Sequence, residues 1–155
     1  MLAIERLSKL IPEDWYIYVK EAPKQKGTYR GELFFERLKQ VPNLLFLYKK
    51  ANTYELIKHS QFVATIVGTV GWEAITGGKN VLTFGWGRWY KNLPGVYEYR
   101  DDINIDELIN KKIDHDLLQK QTADLINKCG TGIIYDTYLP SVTHFSMKKM
   151  IRSHR

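Results

Sequence analysis

The hydrophobic residues of this chain form short apolar runs that alternate with segments of helical spacing. Residues 15–19, 43–48, 62–67 and 81–84 are mostly apolar at consecutive positions and rich in β-branched and aromatic side chains, which favours strands. Residues 96–99 predict a short fifth strand. Consecutive apolar positions indicate strands that are covered on both faces, as is typical of parallel sheets.

Helix signals occur between these strands. Asn52 is followed three residues later by Glu55, a capping-box spacing that predicts a helix ending near residue 59, and Asn104 has the same offset to Glu107. Further helices are predicted at 3–10, 32–40, 70–76 and 116–128, the second with Leu33, Phe34 and Leu38 on its inner face. This alternation predicts an α/β fold of three layers, in which helices flank a mostly parallel sheet of four to five strands.

Composition narrows the class of protein. A chain of 155 residues suits one domain over residues 1–155, of which 131–155 is the least certain part. The single cysteine, Cys129, excludes an intrachain disulfide and agrees with a reducing compartment. No apolar run is long enough to span a bilayer, and the first ten residues lack the apolar block of a signal peptide. We therefore expect a cytoplasmic protein.

The net charge of +6 and the pI of about 9.3 favour anionic partners, such as a sugar nucleotide, a lipid surface or nucleic acid. Nucleic acid ranks low, because the basic residues do not alternate with aromatic ones on one evident face and no recognition motif is present. A solvated basic surface is the alternative explanation of the charge.

The segment 66–85 reads as a buried strand, a glycine-rich turn, a short helix and another strand. Gly68 and Gly71 have no Cβ and allow close approach of a ligand, while the amides at Thr69 and Val70 open a helix, a common phosphate site. Glu73, one turn into the helix, is a candidate for binding ribose hydroxyls. The alternatives are a tight strand–helix junction with Thr69 as N-cap, and a glutamate that only complements the helix dipole.

Two other loops should lie at the same edge of the sheet, because the carboxyl ends of parallel strands meet there. Lys24 follows the first strand and is expected to meet phosphate charge; an exposed lysine-rich turn is the alternative. Possible contacts of a ligand or a partner domain are Pro23, next to Lys24, and Trp86, Arg88 and Tyr90 of the loop 85–90, unless that loop folds back onto the core. The four histidines have no metal-like spacing, so no metal site is expected.

These residues also carry a family resemblance. Pro23-Lys24, the segment 52–57, the segment 68–74 and Gly78-Lys79-Asn80-Val81 resemble the bacterial capsule polysaccharide biosynthesis and export family, which includes transferases of CMP-activated Kdo. The resemblance covers residues 15–112 and implies a Rossmann-like domain, the C-terminal half of a GT-B glycosyltransferase. It also implies a sugar nucleotide as substrate, a CMP-sugar rather than a UDP-sugar, with no cofactor.

The chain departs from the family pattern in two respects. Ala22 stands where the family has a histidine before Pro23, and alanine cannot transfer a proton. A second GT-B half does not fit in 155 residues, so we expect the acceptor-binding site and the family's acidic catalytic residue in a missing N-terminal domain or a partner chain. This chain therefore offers no candidate catalytic residue, and alone it should bind nucleotide weakly and transfer little or no sugar.

Two other functions stay open at this point. One is a sugar-nucleotide epimerase-like half-domain. The other is a non-catalytic scaffold that kept the fold and uses the loop 86–90 for protein contacts. The basic, amphipathic segment 145–152 is compatible with a helix that crosses to a partner domain, with contact at the inner face of the bacterial membrane, or with a frayed tail.

Overall fold

The computed structural model describes residues 3–22, 30–86 and 89–129. These residues form a mixed α/β fold in which parallel strands alternate with helices. The helices are α1 Ala3–Ser8, α2 Glu32–Lys39, α3 Thr53–His59, α4 Val70–Thr76, α5 Ile105–Asn110 and α6 His115–Lys128. The strands are β1 Ile17–Val19, β2 Leu44–Phe46, β3 Val63–Thr65, β4 Val81–Thr83 and β5 Val96–Glu98.

All the described strand pairs are parallel. β1 pairs with β2, with Tyr18 opposite Leu45, and β4 lies between β3 and β5, with Leu82 opposite Ala64 and Tyr97. The five predicted strands and the parallel α/β arrangement are thus confirmed. The strands form a two-stranded sheet, β1-β2, and a three-stranded sheet, β3-β4-β5.

Both sheets contribute to one apolar core. Ile17 of β1 and Leu82 of β4 belong to the same buried cluster as Leu7 of α1, Val41 and Leu108 of α5. The predicted coverage of strands on both faces holds for β4, whose three residues are all buried. It is wrong for β2, where Leu45 and Phe46 point to opposite faces of the sheet and are both exposed.

The predicted inner face of α2 is also partly wrong. Leu38 is buried, but Leu33 is 72% exposed. The two residues are five positions apart, which places them about 140° from each other around a helix of 3.6 residues per turn. One narrow stripe of this eight-residue helix reaches the core, and Leu33 lies outside it.

Two helix starts follow the predicted capping chemistry. The Asn52 side chain accepts hydrogen bonds from the amides of Tyr54 and Glu55, and the Asn104 side chain accepts one from the amide of Glu107. Each bond satisfies an amide that has no partner inside its own helix. The sequence therefore predicted both starts correctly.

The chain divides into two compact units, Met1–Asp114 and His115–Arg155. The first unit contains both sheets and α1 to α5, and the described part of the second consists of α6 and the residue that follows it. No helix among the described residues has the length and apolarity needed to cross a membrane.

Candidate functional site

The glycine-rich turn between β3 and α4 is fixed by hydrogen bonds to its backbone. The amide of Gly68 donates to Thr65 Oγ1 at 3.0 Å, and the amide of Gly71 donates to the Gly68 carbonyl at 3.3 Å. The Tyr90 hydroxyl donates to that same carbonyl at 2.6 Å. A side chain 22 positions away in the sequence therefore helps to hold the turn in place.

Internal contacts account for both glycines of the turn. A Cβ at Gly71 would lie 2.4 Å from the Tyr90 hydroxyl, and a Cβ at Gly68 would lie 2.9 Å from Thr65 Oγ1. Neither glycine has a positive φ, so close packing rather than backbone conformation requires them. The chain would need glycine at Gly71 even if no ligand approached the turn.

Several polar groups at the start of α4 have no hydrogen-bond partner among the described residues. The amides of Thr69 and Val70 make no hydrogen bond there, and neither does the half-buried carboxylate of Glu73. Thr69 occupies the N-cap position, but its backbone is helical and its hydroxyl makes no capping bond, so the capping alternative is wrong for its side chain. Two amides, a hydroxyl and a carboxylate thus lie within one turn of chain.

The loop after β4 divides into an internal part and an outward part. Tyr90 is buried and its hydroxyl is bonded inside the protein, so for this residue the expected ligand contact gives way to the alternative of a loop folded onto the core. Trp89 packs against Trp72 of α4 with ring centroids 4.9 Å apart. Trp86 is 94% exposed, and Arg88 lies outside the described residues.

A cluster of charges lies at the carboxyl ends of β1 and β2. The carboxylate of Glu21, two residues after β1, is 3.0 Å from Arg30 Nε and 3.6 Å from Lys49 Nζ. Ala22 is exposed, whereas Pro23 and Lys24 lie outside the described residues. Sequence reasoning did not select this cluster, although Lys49 follows a predicted strand and the parallel-strand rule could have indicated it.

A surface hollow of about 420 Å³ lies at the opposite ends of β1 and β2. Residues that precede or begin these strands line it, among them Trp15, Pro42 and Asn43. The turn at Gly68 does not contribute to its lining. In the described part of the chain, no group of three or more histidine, cysteine, aspartate or glutamate side chains could hold a metal ion.

Comparison with known proteins identifies the family. Residues 2–138 match the family model described as capsule polysaccharide biosynthesis protein. Searches of curated proteins and of solved structures found no significant match. Because the family match covers most of the chain, the chain belongs to the family of capsule polysaccharide biosynthesis proteins, which supports a role in capsule synthesis.

Proposed function

We propose that the chain binds the donor sugar nucleotide of a glycosyltransferase in capsular polysaccharide biosynthesis. The observation that carries this proposal is a set of polar groups at the start of α4, in a chain of the capsule family, that have no hydrogen-bond partner among the described residues. They are the amides of Thr69 and Val70, the Thr69 hydroxyl and the Glu73 carboxylate. The turn follows the carboxyl end of β3, the place at which open parallel sheets bind nucleotides.

The groups in the turn have complementary tasks in this proposal. The amides of Thr69 and Val70 and the Thr69 hydroxyl bind phosphate oxygens, while the Glu73 carboxylate accepts hydrogen bonds from the ribose hydroxyls. Gly68 and Gly71 act indirectly, because their packing against Thr65 and Tyr90 sets the course of the backbone. Lys24 belongs to the proposed phosphate site as a cation after β1. Arg30 and Lys49 lie near the ends of β1 and β2, where Glu21 pairs with both and offsets part of their positive charge.

In the proposed reaction, a hydroxyl of the acceptor attacks the anomeric carbon of the sugar, and the bond to the nucleotide phosphate breaks. The amides at the turn stabilise the negative charge that develops on the departing phosphate. The acceptor binds to a partner domain or chain, and an acidic residue of that partner, acting as the catalytic base, takes the proton of the attacking hydroxyl. The isolated chain should therefore bind nucleotide weakly and transfer little or no sugar.

A chemical-shift titration of the chain with CMP, UDP and GMP tests the proposal. We expect shifts at residues 68–73 and in the loop after β1, largest for CMP. A Glu73→Gln variant should weaken binding, because a neutral amide accepts the ribose hydroxyl bonds less strongly. The matched control is Glu32→Gln, which removes a first-turn glutamate from another helix, α2, and should leave binding unchanged.

The other outcomes distinguish the alternatives. A preference for UDP would favour a UDP-sugar enzyme or an epimerase-like half-domain. An absence of shifts with every nucleotide would contradict the proposal and favour a scaffold function. The exposed Trp86 supports that second candidate, because a side chain that is 94% exposed is suited to a protein contact.

A further inference from the structure

The outer side of β2 has unused backbone hydrogen-bonding groups. In the ladder with β1, the amide of Ile17 donates to the Asn43 carbonyl at 2.9 Å and the amide of Leu47 donates to the Val19 carbonyl at 2.8 Å. Because ladder bonds involve alternate residues, Leu44 and Phe46 direct their N–H and C=O groups away from β1. These groups have no partner among the described residues.

The side chains around this strand are apolar and exposed. Leu45 is 44% exposed, Phe46 is 48% exposed and Tyr18, the register partner of Leu45, is 59% exposed. Proteins usually protect an exposed edge strand with a charge, a proline or a bulge within it. β2 has no such protection in Leu44–Phe46, so it is suited to pairing with another extended strand.

We propose that β2 pairs in antiparallel fashion with β2 of a second copy of this chain, about a two-fold axis at Leu45. Leu44 then lies opposite Phe46 of the second copy, and the two residues exchange both backbone hydrogen bonds. The axis repeats this exchange on the other side, so every unpaired group of Leu44 and Phe46 gains a partner. Leu45 meets its own copy, which extends the apolar row formed with Tyr18 across the interface.

The charges near the strand permit this partner and favour the antiparallel direction. Residues 40–48 carry no charged side chain, and Lys49 and Lys50 follow them directly. In the antiparallel arrangement the two lysines approach residues 40–43 of the other copy, so no lysine meets a lysine. The contact is also isologous and closes as a dimer, whereas parallel pairing of identical edges would not obey a two-fold axis.

The expected dimer is weak. Two paired three-residue strands bury less than the roughly 1,200 Å² typical of stable interfaces, so association should depend on concentration. Each copy carries a net charge of +6, and the two copies repel each other. Added salt screens this repulsion and should strengthen the dimer, whereas it would weaken a dimer held by ion pairs.

Sedimentation velocity of the full chain over a wide concentration range tests the proposal. We expect a shift from monomer to dimer, and monomers only for Leu45→Lys and for Phe46→Pro, which removes one outward N–H. The matched control is Leu33→Lys, the same substitution at a residue of α2 that is 72% exposed and lies outside the strand. It should dimerise like the original chain.

Hydrogen exchange provides a second measurement that needs no variant. The amides of Leu44 and Phe46 should exchange more slowly as the concentration of the chain rises. A chain that stays monomeric at every concentration would overturn the proposal. So would a Leu33→Lys variant that dissociates as readily as Leu45→Lys, or a dimer in which both amides exchange at the monomer rate. The nucleotide titration does not bear on these outcomes, so the two proposals stand or fall separately.

Discussion

Replacing Gly71 with alanine tests whether internal packing requires this glycine. The new Cβ would lie 2.4 Å from the hydroxyl oxygen of Tyr90 and 2.8 Å from its Cζ atom, both closer than real contacts allow. Tyr90 is only 2% exposed and packs tightly, so it cannot move without disturbing its neighbours. We therefore expect Gly71→Ala to displace the ring and to break its hydrogen bond to the Gly68 carbonyl.

Opposing effects determine how much Gly71→Ala changes the free energy of unfolding. Alanine is favoured over glycine inside a helix by up to about 1 kcal/mol. Overpacking a buried site costs about 1–3 kcal/mol, and the lost hydrogen bond costs about 1 kcal/mol more. The free energy of unfolding of Gly71→Ala should therefore fall by about 1–3 kcal/mol, because the packing and hydrogen-bond losses exceed the gain in helix propensity.

Urea denaturation followed by far-ultraviolet circular dichroism measures this loss. Tyr90→Phe alone should cost about 1 kcal/mol, because it removes the hydroxyl that donates to Gly68. It also removes the closest clashing atom, so Gly71→Ala should cost less in the Phe background than in the original chain. Gly31→Ala is the control for the clash, since a Cβ there meets no atom within 4 Å; Gly31 is the N-cap of α2, so this variant should lose only the cap preference, about 1 kcal/mol or less.

The result that would refute this reasoning is a Gly71→Ala variant that is as stable as the original chain. Strict additivity of Gly71→Ala and Tyr90→Phe would also contradict it, because the two substitutions would then act at independent sites. A variant with unchanged stability and lost nucleotide binding would instead show that Gly71 faces the ligand.

Three further predictions concern stability. Asn80 is buried, and its side-chain amide donates to two backbone carbonyls at 2.6 and 2.7 Å. Asn80→Ala should therefore lower the free energy of unfolding, measured by urea denaturation, by about 2–4 kcal/mol. The control Asn110→Ala removes an exposed side chain and should lower it by less than about 1 kcal/mol. Asn52→Ala should cost about 1 kcal/mol by loss of its cap, while Thr69→Ala should change stability by less than about 0.5 kcal/mol because Thr69 makes no capping bond. Burial raises the pKa of Tyr97 above its ordinary value of 10.0, so its contribution to stability is present below pH 10.0 and is lost as the pH rises through the folded-state pKa. Tyr97→Phe should therefore reduce the loss of stability at alkaline pH. Urea denaturation at a series of pH values measures this loss, and an unchanged pH profile would contradict the assignment.

The elements of the fold were predictable because their signals are local. The capping asparagines Asn52 and Asn104 act within three residues of their own position, and the apolar strand runs are continuous in the sequence. The exposure of Leu45 and Phe46 was not predictable in this way. An apolar run has the same sequence pattern whether the faces of its strand are covered or open, and only the tertiary packing distinguishes the two.

The turn before α4 shows the same division between local and distant causes. The sequence predicted the position of this glycine-rich turn and the helix that follows it. It did not predict the contact with Tyr90, because the partner lies 22 residues away in a loop that was expected to contact a ligand or a partner domain. A pattern of glycines indicates close approach, but the sequence does not say whether the approaching group is a ligand or another part of the protein.

This ambiguity gives the turn an experimental signature. Gly68 and Gly71 contact Thr65 and Tyr90 inside the protein, so substitutions there should lower stability first and affect ligand binding through the altered backbone. Thr69 is exposed and Glu73 has no described partner, so substitutions at these residues should leave stability nearly unchanged. If nucleotide binding is lost in Glu73→Gln at full stability, the carboxylate contacts the ligand. If binding is lost only in variants that are also destabilised, the glycine-rich turn is a folding element and the ligand binds elsewhere.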